Sequence, residues 1–278
     1  MRNIKIKDTS FQHCEYSNNP MPPVSFCEHF KWDWDTDVVG KDELIFYTHG
    51  NILDGVNDVN GKKVCWLIEP MDLVGLNYKQ IKEHHNHFKY VFTHEKTLLD
   101  LGENFRFMPF GGCWIKKEDQ KIYNKSKLVS ITSSWKRQLE GHRLRHEIIS
   151  KFGDKLDTYG NGYTPINEKV DGHRDYMFSV VIENCKRDYW FTEKLVDCLI
   201  TGSVPIYWGC PSIGDFFNTK GFIIVDNVGD VGSALDTITP ELYNEMKPYI
   251  EENFEKAKQF ILGENTIYNE YIKTGLIK

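Results

Sequence analysis

The sequence predicts an α/β fold of parallel sheets, and three features of the 278-residue chain point to it. Short apolar, β-branched or aromatic runs recur along most of its length. They are near-continuous rather than alternating, as strands buried on both faces of a parallel sheet should be. Stretches with helical spacing lie between them, so strand and helix alternate as in βαβ units.

In chain order, strands are predicted at residues 44–47, 64–68, 90–92, 128–132, 177–182, 204–207 and 222–225. Helices are predicted at 78–88, at 141–152 with Leu144, Ile148 and Phe152 one turn apart, and at 192–200 with Leu195, Val196, Leu199 and Ile200 on one side. From Pro240 onward Leu242, Met246, Ile250, Phe254 and Ala257 repeat every three or four residues, which predicts one long packing helix closing the fold. The polar segment 117–127 separates two strand-rich halves and is the expected boundary, giving domains 1–122 and 123–278.

Composition excludes several classes. The net charge of −6 argues against a nucleic acid or anionic membrane surface as partner. No apolar run reaches the ~18 residues of a membrane span, and the charged N-terminus lacks a signal-like stretch. Seven scattered cysteines without a Cys-x-x-Cys pair suit a reduced, soluble, cytoplasmic protein. P-loop and dinucleotide-binding glycine motifs are absent. The Asp33-Trp34-Asp35-Thr36-Asp37 run fails as an EF-hand, with Val38 and Leu44 where Gly and Glu are needed. His84, His85 and His87 fall on different helix faces, and His146-Glu147 lacks its second histidine. No metal site is expected.

Charge is unevenly spread. Between 121 and 145 stand seven basic residues (Lys121, Lys125, Lys127, Lys136, Arg137, Arg143 and Arg145) and one acid, Glu140. This reads either as a solvated face or as an anion site where a strand leads into a helix N-terminus.

The most informative stretch is 178–226. It reads as a buried strand ending at Glu183-Asn184, a polar loop, a helix capped near Thr192 with Glu193 and Lys194 in its first turn, and a second strand. A lysine there opposes the helix dipole unless it pairs with an anion. This segment resembles the donor-binding motif of the α1,3-fucosyltransferases. Val204-Pro205-Ile206-Tyr207-Trp208-Gly209, followed by Pro211-Ser212 and Asp215-Phe216-Phe217-Asn218, is especially similar to the bacterial members. Weaker likenesses extend it: Arg145, favoured over Arg143, stands where the family keeps an arginine for the donor pyrophosphate. Glu69, ending Lys63-Val64-Cys65-Trp66-Leu67-Ile68-Glu69-Pro70, stands where the family keeps its general base.

The resemblance implies two Rossmann-like domains facing a cleft, the GT-B arrangement, with an acceptor glycan on the first and GDP-fucose on the second. It implies an inverting transfer without a cofactor or divalent metal, in which Glu69 is the base and Arg145 and Lys194 neutralise the diphosphate. Asn184 and Tyr189 or Trp190 would orient phosphate or sugar, and Glu193 the ribose. One departure stands out: Tyr189-Trp190 replaces the family's Asp-Tyr, so an indole that only donates takes the place of a hydroxyl. A transferase using another nucleotide sugar, or a non-catalytic binder of nucleotide or glycan, stays open at this point.

Overall fold

The structure, a computed structural model, describes residues 1–9, 27–109 and 111–277; Cys14 lies outside the described residues. The chain forms two compact units, Met1–Phe110 with Leu262–Lys278, and Gly111–Ile261.

The first unit holds strands β1 (Arg2–Lys7), β2 (Phe30–Asp33), β3 (Leu44–Thr48), β4 (Lys62–Trp66), β5 (Tyr90–Thr93) and β6 (Phe105–Phe107). They form one parallel sheet in the order β2-β1-β3-β4-β5-β6. All five residues of β3 are buried because both faces are covered. Leu44 and Phe46 point to one side, with Ile4, Trp32, Val64 and Trp66. Ile45 and Tyr47 point to the other, against Tyr78 and Ile81 of the helix Met71–His84. Each such side chain contributes on the order of 1.5–3 kcal/mol relative to exposure. β1 escaped prediction because its isoleucines alternate with Asn3, Lys5 and Lys7, unlike the continuous runs elsewhere.

The second unit holds β7 (Lys127–Thr132), β8 (Asp157–Tyr159), β9 (Tyr176–Ile182), β10 (Val204–Trp208) and β11 (Ile223–Ile224), parallel in the order β11-β10-β9-β7-β8. Val129, Ile131, Val180 and Ile206 form the core on one face with Ile148 of the helix Glu140–Phe152. Val181 and Tyr207 form it on the other with Leu195, Val196 and Leu199 of the helix Glu193–Leu199. From β8 across to β11 the order is second, first, third, fourth, fifth, and it reverses between β7 and β9. In open α/β sheets such a reversal opens a crevice at the strands' carboxyl ends.

Three expectations need correction. The units divide at 110/111 rather than at 122/123, because the polar stretch 117–127 runs over the second unit instead of linking two. Cys113 and Ile115 are buried in its core, the Trp114 N–H bonds Asp197, and the Lys125 ammonium bonds the carbonyls of His173 and Thr201. The long C-terminal helix is broken into Pro240–Glu245 and Lys247–Ala257, since Pro248 has no N–H to continue the ladder. Residues 262–278 then return to the first unit, where Ile267, Tyr271 and Ile277 enter its core and Glu264 accepts the Trp32 indole N–H at 3.0 Å.

The basic run disperses as well. Lys125 precedes β7 and Lys127 opens it, while Arg137, Arg143 and Arg145 follow it, so the strand of about 20 Å separates the two groups. Lys127 pairs with Asp157, and Lys121 lies over the Tyr123 ring.

Candidate functional site

At the carboxyl ends of β7 and β9 in the second unit the chain makes a close backbone approach. The Gly141 N–H, at the start of the helix Glu140–Phe152, donates to the Asn184 carbonyl at 3.0 Å. A Cβ on residue 141 would stand 1.7 Å from the Glu183 carbonyl oxygen, so only glycine fits. One turn on, Arg145 turns back into this junction. Its Nε donates to the Gly141 carbonyl at 3.1 Å and its Nη2 to Asn184 Oδ1 at 2.7 Å. It is 5% exposed. Arg143, in contrast, is exposed and donates to the Arg137 and Gln138 carbonyls. His142 Nδ1 accepts the Leu139 N–H at 3.2 Å; burial, then the cations Arg145, Lys136 and Lys194, push its pKa down to about 4.

At the end of β9, Glu183 is wholly buried and accepts from Thr192 twice, from N at 2.8 Å and Oγ1 at 2.7 Å. Thr192 caps the next helix by accepting the Lys194 N–H. The Lys194 ammonium lies 3.0 Å from Glu193 and 3.9 Å from Glu183. Burial alone would depress Lys194, but the two carboxylates outweigh it and hold its pKa above the usual lysine value. Burial raises Glu183, whereas Lys194 and Lys169 overcome burial to lower Glu193. The result is a compact set of two cations and two carboxylates at the carboxyl edge of the sheet, with Arg145 and Glu183 buried and Glu193 and Lys194 half-buried. Sequence reasoning did not assign a role to Glu183 or Gly141. An acid at a strand end and a glycine opening a helix are each too common alone; only their juxtaposition across the sheet gives them a role.

Arg145, Asn184, Glu193 and Lys194 therefore come together. Tyr189 and Trp190 lie in the loop between β9 and the Thr192 cap. Tyr189 has a left-handed backbone (φ 61°), costly for a bulky side chain, and its N–H donates to Ser212 Oγ at 2.8 Å while its ring meets Phe216 edge-on. Trp190 is wholly buried.

Glu69 belongs to the first unit, just beyond the carboxyl end of β4. It is half-buried. Its N–H donates to His49 Nε2 at 3.0 Å and its carbonyl accepts from the Tyr78 hydroxyl at 3.0 Å. Asp8, Thr48, His49 and His94 are buried polar groups that follow β1, close β3 or follow β3 and β5.

Residues 122–251 match the family described as glycosyltransferase family 10 (fucosyltransferase), C-terminal part. The chain is 29% identical over 122 residues to the alpha-(1,3)-fucosyltransferase FucT of Helicobacter pylori, covering 44% of this chain and 25% of that protein. It is 36% identical over 89 residues to a protein of Arabidopsis thaliana named as fucosyltransferase-like, covering 31% and 17%. The aligned part thus spans about a quarter and a sixth of these relatives' lengths. Among solved structures, an alpha1,3-fucosyltransferase with GDP superposes at a TM-score of 0.52 with 16% identity, over 83% of this chain and 79% of that one. An alpha1,3-fucosyltransferase with GDP-fucose gives 0.51 and 17% identity over 86% and 81%, and TarM gives 0.55 and 17% over 84% and 55%. At this identity the solved structures share the fold, which is the GT-B fold expected. The resemblance read from 178–226 is borne out, and the matched family segment contains all six candidate donor residues.

Proposed function

We propose that this protein is an inverting glycosyltransferase that moves fucose from GDP-fucose to a hydroxyl of an acceptor glycan, with an α1,3-type linkage. The observation that carries the reading is the convergence of Arg145, Asn184, Glu193 and Lys194 at the β7/β9 reversal, inside the segment that matches the fucosyltransferase family.

In the proposed reaction the Glu69 carboxylate takes the proton of the acceptor hydroxyl. That oxygen bonds to the anomeric carbon as the bond from this carbon to the β-phosphate oxygen breaks. The sugar passes through an oxocarbenium-like state, and the electron pair leaves with GDP. Arg145 and Lys194 meet the growing charge; in a buried site such fixed cations act strongly because no solvent reorganises. They supply what a divalent metal would, so transfer is proposed to be metal-independent. Glu193 accepts ribose hydroxyls, and Asn184 with Tyr189 or Trp190 orients phosphate and sugar. Cys27, Cys65, Cys113, Cys198 and Cys210 are free thiols, which suits a reducing compartment, the cytoplasm in this proposal. No helix among the described residues is long and apolar enough to cross a membrane.

The test is GDP release from GDP-fucose over a glycan acceptor array, with and without EDTA, and NMR of the product anomer. Transfer with inverted configuration, unaffected by EDTA, is expected. Turnover of a uridine-linked sugar instead would reassign the donor, which the Trp190 departure singles out as the weakest part of the match. Binding of GDP-fucose without turnover on any acceptor would overturn the enzymatic reading.

A further inference from the structure

Beyond Trp66 the β4 ladder runs out. The Leu67 N–H still reaches the Phe92 carbonyl at 2.9 Å, but the next two amides, Ile68 and Glu69, both donate to one side-chain atom, His49 Nε2, at 3.3 and 3.0 Å. A ring nitrogen that accepts carries no proton, so this contact requires His49 neutral with its hydrogen on Nδ1. His49 follows β3 directly, is 1% exposed and sits at φ 21°, an uncommon backbone for a side chain of this size. Tyr78, buried on the helix Met71–His84, donates its hydroxyl to the Glu69 carbonyl at 3.0 Å and lies 3.4 Å from His94 Nε2. Both main-chain polar groups of Glu69 are thus bonded to buried side chains, although Glu69 itself is only half-buried.

We propose that His49 and Tyr78 are positioning residues: together they fix the Glu69 backbone and so the direction of its carboxylate, and the rate of proton removal depends on that clamp. This rests on the reading of Glu69 as the general base. Bonding buried strand-end amides is the structural part of these contacts, and the clamp adds to it a fixed direction for the side chain. A clamp on one residue's N–H and C=O sets its Cα–Cβ vector, and a displacement of about 1 Å at a reacting group can cost about 100-fold in rate.

The experiment is a double-mutant cycle on the full chain, read as GDP release from GDP-fucose with N-acetyllactosamine and with water as the only nucleophile. His49→Leu should lower kcat by about 10–100-fold with KM and GDP affinity within about twofold. His49→Gln, which returns an acceptor near Nε2, should recover most of the loss, and Tyr78→Phe should lose less than His49→Leu. In a Glu69→Gln background His49→Leu and Tyr78→Phe should cost nothing further, a non-additivity that a merely structural role does not produce. Full kcat in His49→Leu, or an equal loss in both backgrounds, overturns the clamp while leaving the base assignment standing. Wild-type turnover in Glu69→Gln overturns the base assignment, and the clamp with it. Should His49→Leu not fold, Tyr78→Phe in the two backgrounds decides the question alone.

Discussion

The two sheets share a strand order through their first five strands and differ in what stands at their carboxyl edges. The second unit's edge is charged: the buried Arg145 and Glu183, the half-buried Lys194 and Glu193, and a backbone junction tight enough to require glycine. The first unit's edge is built of histidines, a tyrosine and a threonine around Glu69 and Asp8; Thr48 bonds Asp8, and His49 with Tyr78 holds Glu69. In the proposed reaction one edge meets the diphosphate and the other takes the proton. Topology supplies the same strand-order reversal in each case, and the side chains alone decide the chemistry at its carboxyl edge.

Separable edges should give separable defects. Glu69→Gln is expected to lower kcat by about 10²–10⁴-fold while GDP affinity by calorimetry holds within about twofold. Lys194→Ala should do the reverse first: it removes a charged partner from the diphosphate and leaves Glu183 and Glu193 facing each other, weakening GDP binding by about 10–100-fold. GDP affinity lost in Glu69→Gln, or kept in Lys194→Ala, would collapse the division of labour.

Gly141→Ala tests the charged edge without touching a charge. The new methyl meets the Glu183 carbonyl, a backbone atom that cannot swing aside, so helix and strand must part. A loss of about 3 kcal/mol is expected, read as a drop in Tm, together with weaker GDP binding. An unchanged Tm would mean the junction is looser than its 3.0 Å hydrogen bond indicates.

How much of this was legible in the sequence follows from which interactions are local. The near-continuous runs at β3, β7, β9 and β10 announced doubly covered strands, and Thr192 announced its helix, because strand burial and capping act within a few residues. Arg145 was singled out through the family pattern, and its burial against Asn184 has no mark in the local sequence. The basic run around it misled, because a strand carries Lys125 and Lys127 to the opposite end of the sheet from Arg145. Glu183 and Gly141 gain their roles only from contact across the sheet, and His49 only by reaching from β3 to the end of β4. The pairing of residues 262–278 with the first unit is the longest-range feature, and no local composition marks it.

A smaller effect concerns pH. His142 is held neutral in the fold, with a pKa near 4 against about 6.5 in an unfolded chain. The unfolded state therefore binds more protons between these values, and the stability that His142 supplies is present above about 6.5 and lost as pH falls towards 4. His142→Asn retains an acceptor for the Leu139 N–H but cannot titrate. Its Tm should fall less than that of the parent over this window, by about 2–4 °C, corresponding to about 1 kcal/mol. Parallel acid limbs would remove His142 from the charged edge's electrostatics.

The smallest expected effect is the sharpest control on the same edge. Arg143 and Arg145 stand two residues apart on one helix, so bulk charge treats them alike, while geometry does not. Arg145 is buried on Asn184, whereas Arg143 is exposed and bonded only to two carbonyls of its own loop. Arg143→Ala should leave GDP affinity within about twofold at moderate salt, since an exposed charge is screened beyond about 10 Å. Arg145→Ala should weaken GDP binding by at least about tenfold at any salt concentration. Equal, salt-sensitive losses in both variants would mean that a diffuse basic field attracts the nucleotide and that the buried Arg145–Asn184 pair serves only the fold.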